Sequence, residues 1–168
     1  GSMELSAMFR PHTHIQNGSI IEYKMPTNEF FASRQENIIF FLGTEPNLLW
    51  HDYSDCIFDL CKKFAVEEVY FIGSVAGLVP HTRQPRFTCS VSSPDMKKNT
   101  EKLGIKFSNY EGPASIITHI THHATKNDIS MMTLVAEIPA YIQGHNPKCI
   151  DNMTKRVCGL LDLQIDHD

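Results

Sequence analysis

Two short apolar runs, each stopping at a glycine, constrain this chain more than any other feature. Residues 37–42 (NIIFFL) halt at Gly43, and residues 69–72 (VYFI) halt at Gly73. β-Branched and aromatic side chains dominate both, which suits strands buried on both faces. Between them Leu49, Tyr53, Ile57, Leu60 and Phe64 recur at helical spacing. That spacing predicts a helix over residues 48–64 with this stripe turned inward. Strand, helix and strand in that order make a right-handed crossover, so the two strands are expected to lie parallel. The second strand opens into a polar loop, Pro80-His81-Thr82-Arg83, before another run begins at Phe87. Open α/β sheets meet their ligands and partners at loops on the carboxyl ends of strands. Residues 68–88 are therefore the expected centre of the molecule.

The remaining segments extend the same alternation. Residues 19–24 (SIIEYK) and 28–33 (NEFFAS) read as strands joined by a turn at Pro26-Thr27, which predicts a β-hairpin near the N-terminus. Ser93-Pro94 is a helix start and Gly104 a helix stop, so a helix is expected between them. Residues 105–110 read as a strand, 114–126 as a helix, 129–138 as a buried strand and 146–161 as a final helix. The predicted fold class is α/β, a three-layer αβα sandwich with a mixed, mostly parallel sheet. Residues 1–18 lack periodicity and read as an irregular arm, with Gly1-Ser2 a tag remnant and Asn17-Gly18 a turn. Residues 19–168 read as one domain.

Composition narrows the function classes. The net charge is −4 and no basic run exceeds two residues, which excludes the basic stripe of a nucleic-acid binder. No apolar stretch reaches the ~20 residues of a membrane span, and the first residues carry no secretory h-region. Five cysteines without a C-x-x-C pair read as free thiols in a reducing compartment. A cytoplasmic protein without a cofactor is the expectation.

Four groupings are candidates for chemistry. His119, His122 and His123 share one side of a helix, opposite its apolar stripe of Ile116, Ile117, Ile120 and Ala124. They read as surface histidines, and no metal is expected. Gly43-Thr44-Glu45-Pro46 follows a buried strand; it brings Thr44 and Glu45 to the sheet edge or merely caps the next helix. Pro80-His81-Thr82-Arg83 offers an imidazole, a hydroxyl and a cation within four residues. It holds an anion or a partner loop, or Arg83 ties it to Glu45 or Glu111. Tyr110-Glu111-Gly112-Pro113 stands before a helix, where free amides favour anions. No G-x-S-x-G elbow and no phosphate-binding glycine loop is present. Thr44, Glu45, His81, Thr82, Arg83, Tyr110 and Glu111 thus form a candidate loop cluster, for a ligand or an interface, without a catalytic assignment.

Five motifs taken together carry a resemblance. They are Pro26-x-Asn28-x-Phe30-Phe31, Leu42-Gly43-Thr44-Glu45-Pro46-x-x-x-Trp50, Val79-Pro80-His81-Thr82-Arg83, Tyr110-Glu111-Gly112-Pro113 and Ile138-Pro139-x-Tyr141. In order and spacing, over about residues 20–163, the chain resembles the PAC2 family of proteasome assembly chaperone 2-like proteins. The resemblance implies a three-layer, phosphorylase/hydrolase-like domain, a homo-oligomer, and an assembly-chaperone or scaffold role toward a protein client, without established catalysis. The alternative is a small-molecule hydrolase or phosphorylase-type enzyme using Glu45, His81, Arg83 and Glu111; a carboxylate–amine ligase label in the family finds no nucleotide motif here. Relatives usually begin with a further strand and helix where this chain has its arm, which marks a short or truncated member. Its tail, residues 164–168, lacks the hydrophobic-Tyr-X ending of some archaeal relatives.

Overall fold

In the computed structural model, residues 9–98, 100–142 and 144–164 are described. Gly1-Ser2, expected to be a tag remnant, and the tail from residue 165 lie outside them. The chain divides into two compact units, Gly1–Asp59 and Leu60–Asp168.

The first unit is built from two antiparallel ribbons. β1 (His12–Gln16) pairs with β2 (Ser19–Lys24), and β3 (Glu29–Ser33) pairs with β4 (Ile38–Leu42). This differs from the sequence reading in two ways. The segment read as an irregular arm contains β1, and residues 19–24 pair with it rather than with residues 28–33. The cause is the Asn17-Gly18 turn, where φ is 50° and 78°. Two consecutive positive φ values make the tight hairpin turn whose twist matches that of its strands, and Asn-Gly is its strongest signal. Residues 38–42 were expected beside 69–72, yet β4 finds its ladder in β3, with Phe30 opposite Phe41 and Phe31 opposite Phe40.

Helix α1 (Trp50–Lys63) has Asp52 in its first turn and Lys62 and Lys63 in its last, each matched to the helix dipole. Its buried residues are Ser54, Phe58 and Cys61, whereas Leu49 and Phe64 are exposed. The predicted stripe is thus rotated. Leu49 precedes the helix with φ 61°, and positions i, i+4 and i+7 from Ser54 define the buried line.

The second unit holds a four-stranded mixed sheet in the order β5-β8-β6-β7, formed by Glu68–Gly77, Ser130–Pro139, Arg86–Val91 and Ile105–Phe107. β5 runs parallel to β8 and β6 parallel to β7, while β6 and β8 are antiparallel. Period-two alternation sets the core. Phe87 and Cys89 of β6 and Met132, Leu134 and Ala136 of β8 are buried together with Cys149. Met153, Val157 and Leu160 of α3 (Pro147–Leu161) pack against them. Burying Phe87 alone is worth about 1.5–3 kcal/mol. The Arg156 guanidinium lies 3.9 Å from the centre of its ring.

Helix α2 (Ile116–Ala124) buries Ile116, Ile120, Thr121 and Ala124 and also contacts β8. Thr118 and Thr121 share with Thr133 of β8 a hydroxyl-lined cavity of about 290 Å³. The helix expected after Ser93 is replaced by two 3₁₀ turns, Pro94–Lys97 and Glu101–Leu103. Ser93 makes no side-chain cap there, but Gly104 closes the second turn at φ 65°, as its position predicts.

Candidate functional site

The parallel β5–β8 pair runs in register from Glu68 and Ser130 to Gly77 and Pro139, so both strands deliver their carboxyl ends to one place. β6 enters that end from the opposite direction, setting Arg86 across from Glu137. Four segments converge there: the loop after β5, the start of β6, the end of β8 and the first turn of α3. They enclose a cavity whose lining includes Val79, Pro80, Gln84, Pro85 and Pro139. Its walls are stiffened by three prolines, which fix φ and carry no backbone N–H.

Arg83 donates through Nη2 to Glu137 Oε2 at 3.2 Å. The two side chains are 31% and 33% exposed. At that exposure the pair contributes about 0–1 kcal/mol, so it orients the loop more than it stabilises the fold. Gly77 makes this arrangement possible, since a Cβ there would stand 2.6 Å from Glu137 Oε1. Lys148 Nζ lies 3.3 Å from the Thr82 carbonyl and 3.4 Å from the Arg83 carbonyl, donating to both. The backbone N–H of His81 donates to the Tyr141 hydroxyl at 2.6 Å, and His81 Nδ1 lies 2.9 Å from the same oxygen.

Sequence reasoning found the loop but not its partners. Arg83 meets Glu137, not Glu45 or Glu111. Glu137 was hidden because it sits within an apolar strand, whereas Tyr141 was picked out in a motif but not as the partner of His81. The legible signal was Glu137, in Ala136-Glu137-Ile138, as the lone charged residue of its strand. Tyr110 and Glu111 are exposed and do not line this cavity. Tyr110 folds back on its own turn, its hydroxyl donating to the Pro113 carbonyl at 3.1 Å. The cap of α2 is Ser115, whose Oγ accepts the Thr118 N–H at 3.2 Å.

Within the first unit, Thr44 and Glu45 serve a structural turn. The Thr44 N–H donates to Asn28 Oδ1 at 3.1 Å, joining two of the motifs. Pro46 is buried and its carbonyl accepts Trp50 Nε1 at 3.0 Å, while Glu45 is exposed. The histidine face of α2 is less open than expected. His122 is exposed, but His119 and His123 are half-buried with ring centres 4.5 Å apart. Of the five free thiols, Cys61, Cys89 and Cys149 are buried and Cys56 is exposed. Burial pushes all three buried thiols above the ordinary thiol range; for Cys89, Lys97 partly opposes it.

These features define an α/β protein with a mixed, largely parallel sheet and an ordered polar cluster at its strand ends. The chain belongs to the PAC2 family, whose family model matches residues 1–168. Among solved structures it is similar to a PAC2 family protein from Streptomyces avermitilis, with TM-score 0.74 and 24% identity over 94% of this chain and 68% of that one. It is also similar to a proteasome-assembly chaperone homologue from Mycobacterium tuberculosis, with TM-score 0.75 and 23% identity over 95% of this chain and 71% of the other. An archaeal proteasome-assembly chaperone homologue from Pyrococcus furiosus matches with TM-score 0.70 and 18% identity, over 93% and 63%. At these identities the likenesses establish the fold. No curated protein matches the chain in sequence. No helix among the described residues is long and apolar enough to cross a membrane.

Proposed function

We propose that this chain is a cytoplasmic, homo-oligomeric interaction module of assembly-chaperone type that acts on a protein client without catalysis. The observation that carries the reading is the β3–β4 ribbon, which is apolar on both faces and exposed. Phe30 and Phe41 stack at 4.4 Å on one face, and Phe31 and Phe40 oppose each other on the other. Phe30, Phe31, Phe40 and Leu42 are each about half exposed, between 49% and 62%. A two-stranded ribbon with that much open apolar surface needs a covering surface, and such patches mark interaction sites. Structural neighbours described as proteasome-assembly chaperone homologues support the same reading. So do the candidate loops, whose polar groups pair with one another: His81 with Tyr141, Arg83 with Glu137, and Tyr110 with Pro113. We read residues 19–168 as one three-layer αβα domain, with the packing of α2 and α3 on β8 as support.

Multi-angle light scattering at tens of micromolar tests the oligomer. The expected result is a mass at least twice 19.1 kDa. A monomer that persists as concentration is raised overturns it.

A further inference from the structure

The geometry points to the cavity at the ends of β5 and β8 as a binding site for a single carboxylate group, carried by a small organic acid or by a peptide chain end. The inference does not depend on the assembly reading, because it concerns the charge and size of one cavity.

Charge is the first argument. Arg83, Arg86 and Lys148 line the cavity, and Glu137 is the acidic group among its lining residues. Three cations against one carboxylate leave a local excess of two positive charges in a chain whose net charge is −4. The Glu137 charge is answered by Arg83 at 3.2 Å. Arg86, across the ladder from Glu137, is not needed for that pairing. Lys148 spends donors on two backbone carbonyls, which fixes its ammonium at the rim without neutralising it. A guanidinium and an ammonium lining the same cavity can both make charge-assisted hydrogen bonds to an oxyanion.

Size is the second argument. The cavity is small, about 20 Å³. A water needs about 10–15 Å³, so the space suits one small anionic head group rather than a larger ligand. Rigidity is the third. The proline-lined walls and the Arg83–Glu137 pair hold the site before a ligand arrives, which lowers the ordering cost of binding. Recognition falls to Arg86, Lys148 and the ring of His81, all in the lining.

The test is a titration of the full chain with sodium acetate against sodium chloride at equal ionic strength, followed by NMR of the arginine and lysine side chains. Acetate is expected to shift the Arg86 and Lys148 signals saturably, and chloride is not. The R86Q/K148Q double variant leaves the Arg83–Glu137 pair in place and is expected to weaken acetate binding about tenfold or more. Its melting temperature and scattering mass confirm that it still folds, and keep this result separate from the assembly reading. A peptide with a free terminal carboxylate, compared with its amide, separates the two sources. Competition by the acid form alone assigns the site to chain ends; no competition assigns it to small acids. Equal shifts with chloride, undiminished acetate binding by the double variant, or tighter binding of inorganic phosphate than of acetate would each overturn the proposal.

Discussion

Cys61, Cys89 and Cys149 show how position decides the chemistry of one residue type. Cys89 points inward because it alternates with Thr88 and Ser90 on β6, and it is 1% exposed; Cys61 and Cys149 are each 7% exposed. Burial raises their pKa, because the thiolate loses solvation. The sign follows directly: a raised pKa means less thiolate at any given pH, and the thiolate is the nucleophile. At pH 8 a thiol reagent is therefore expected to label the exposed Cys56 first. Cys61, Cys89 and Cys149 should react only on denaturation, as mapped by peptide mass spectrometry. Labelling of Cys89 as fast as Cys56 in the folded chain contradicts this packing. The same contrast between type and place applies to Arg83. Its residue type announced a polar tie, but its partner Glu137 lies 54 positions away. Nothing in local spacing encodes a contact made by bringing two strand ends together.

At the scale of elements, helix ends follow local chemistry closely. Ser115 has an extended backbone and its Oγ accepts the Thr118 N–H, satisfying one donor that α2 leaves unpaired. Ser115→Ala is expected to cost about 1 kcal/mol in chemical denaturation, within the range for cap removal. A Ser115→Asn variant should restore most of it, and an unchanged midpoint in the alanine variant would mean that α2 does not rely on this cap. Where apolar periodicity and end signals agree, the sequence was readable: β8 and α3 lie within a residue or two of their predicted places. Where only end signals existed, it was not. Ser93-Pro94 and Gly104 bracket a stretch with just Met96 and Leu103 as large apolar residues, too few for a helical stripe, and it forms 3₁₀ turns instead. β1 was missed for the opposite reason. His12, Thr13 and His14 give no apolar alternation, and its strand exists because the Asn-Gly turn folds it back onto β2.

At the scale of the whole molecule, ladders between distant residues and surfaces that face a partner are the properties least visible in a sequence. The apolar run 38–42 reads as a core strand, and its composition is that of one. In the structure, Ile39 is 39%, Phe40 56% and Leu42 62% exposed. A run built for burial but left open fits a surface meant for another chain. The driving force for closing it is then apolar, which sets its response to conditions. Raising salt screens charges between protomers that each carry −4, yet leaves the apolar contact intact. The mass of the proposed oligomer is therefore expected to hold or rise between low and about 0.5 M salt, and to fall on cooling as the hydrophobic term weakens. Phe31→Ser with Phe40→Ser removes one cross-strand aromatic pair while leaving the Phe30–Phe41 stack on the other face. Each ring is already about half covered, so burying the rest at an interface is worth about 1 kcal/mol per ring. The double variant should therefore shift the association midpoint by about tenfold or more in concentration. Analytical ultracentrifugation over a dilution series reads this directly. A variant that keeps its circular dichroism and dissociates places the interface on this face of the ribbon. One that keeps both its fold and its mass moves the interface elsewhere.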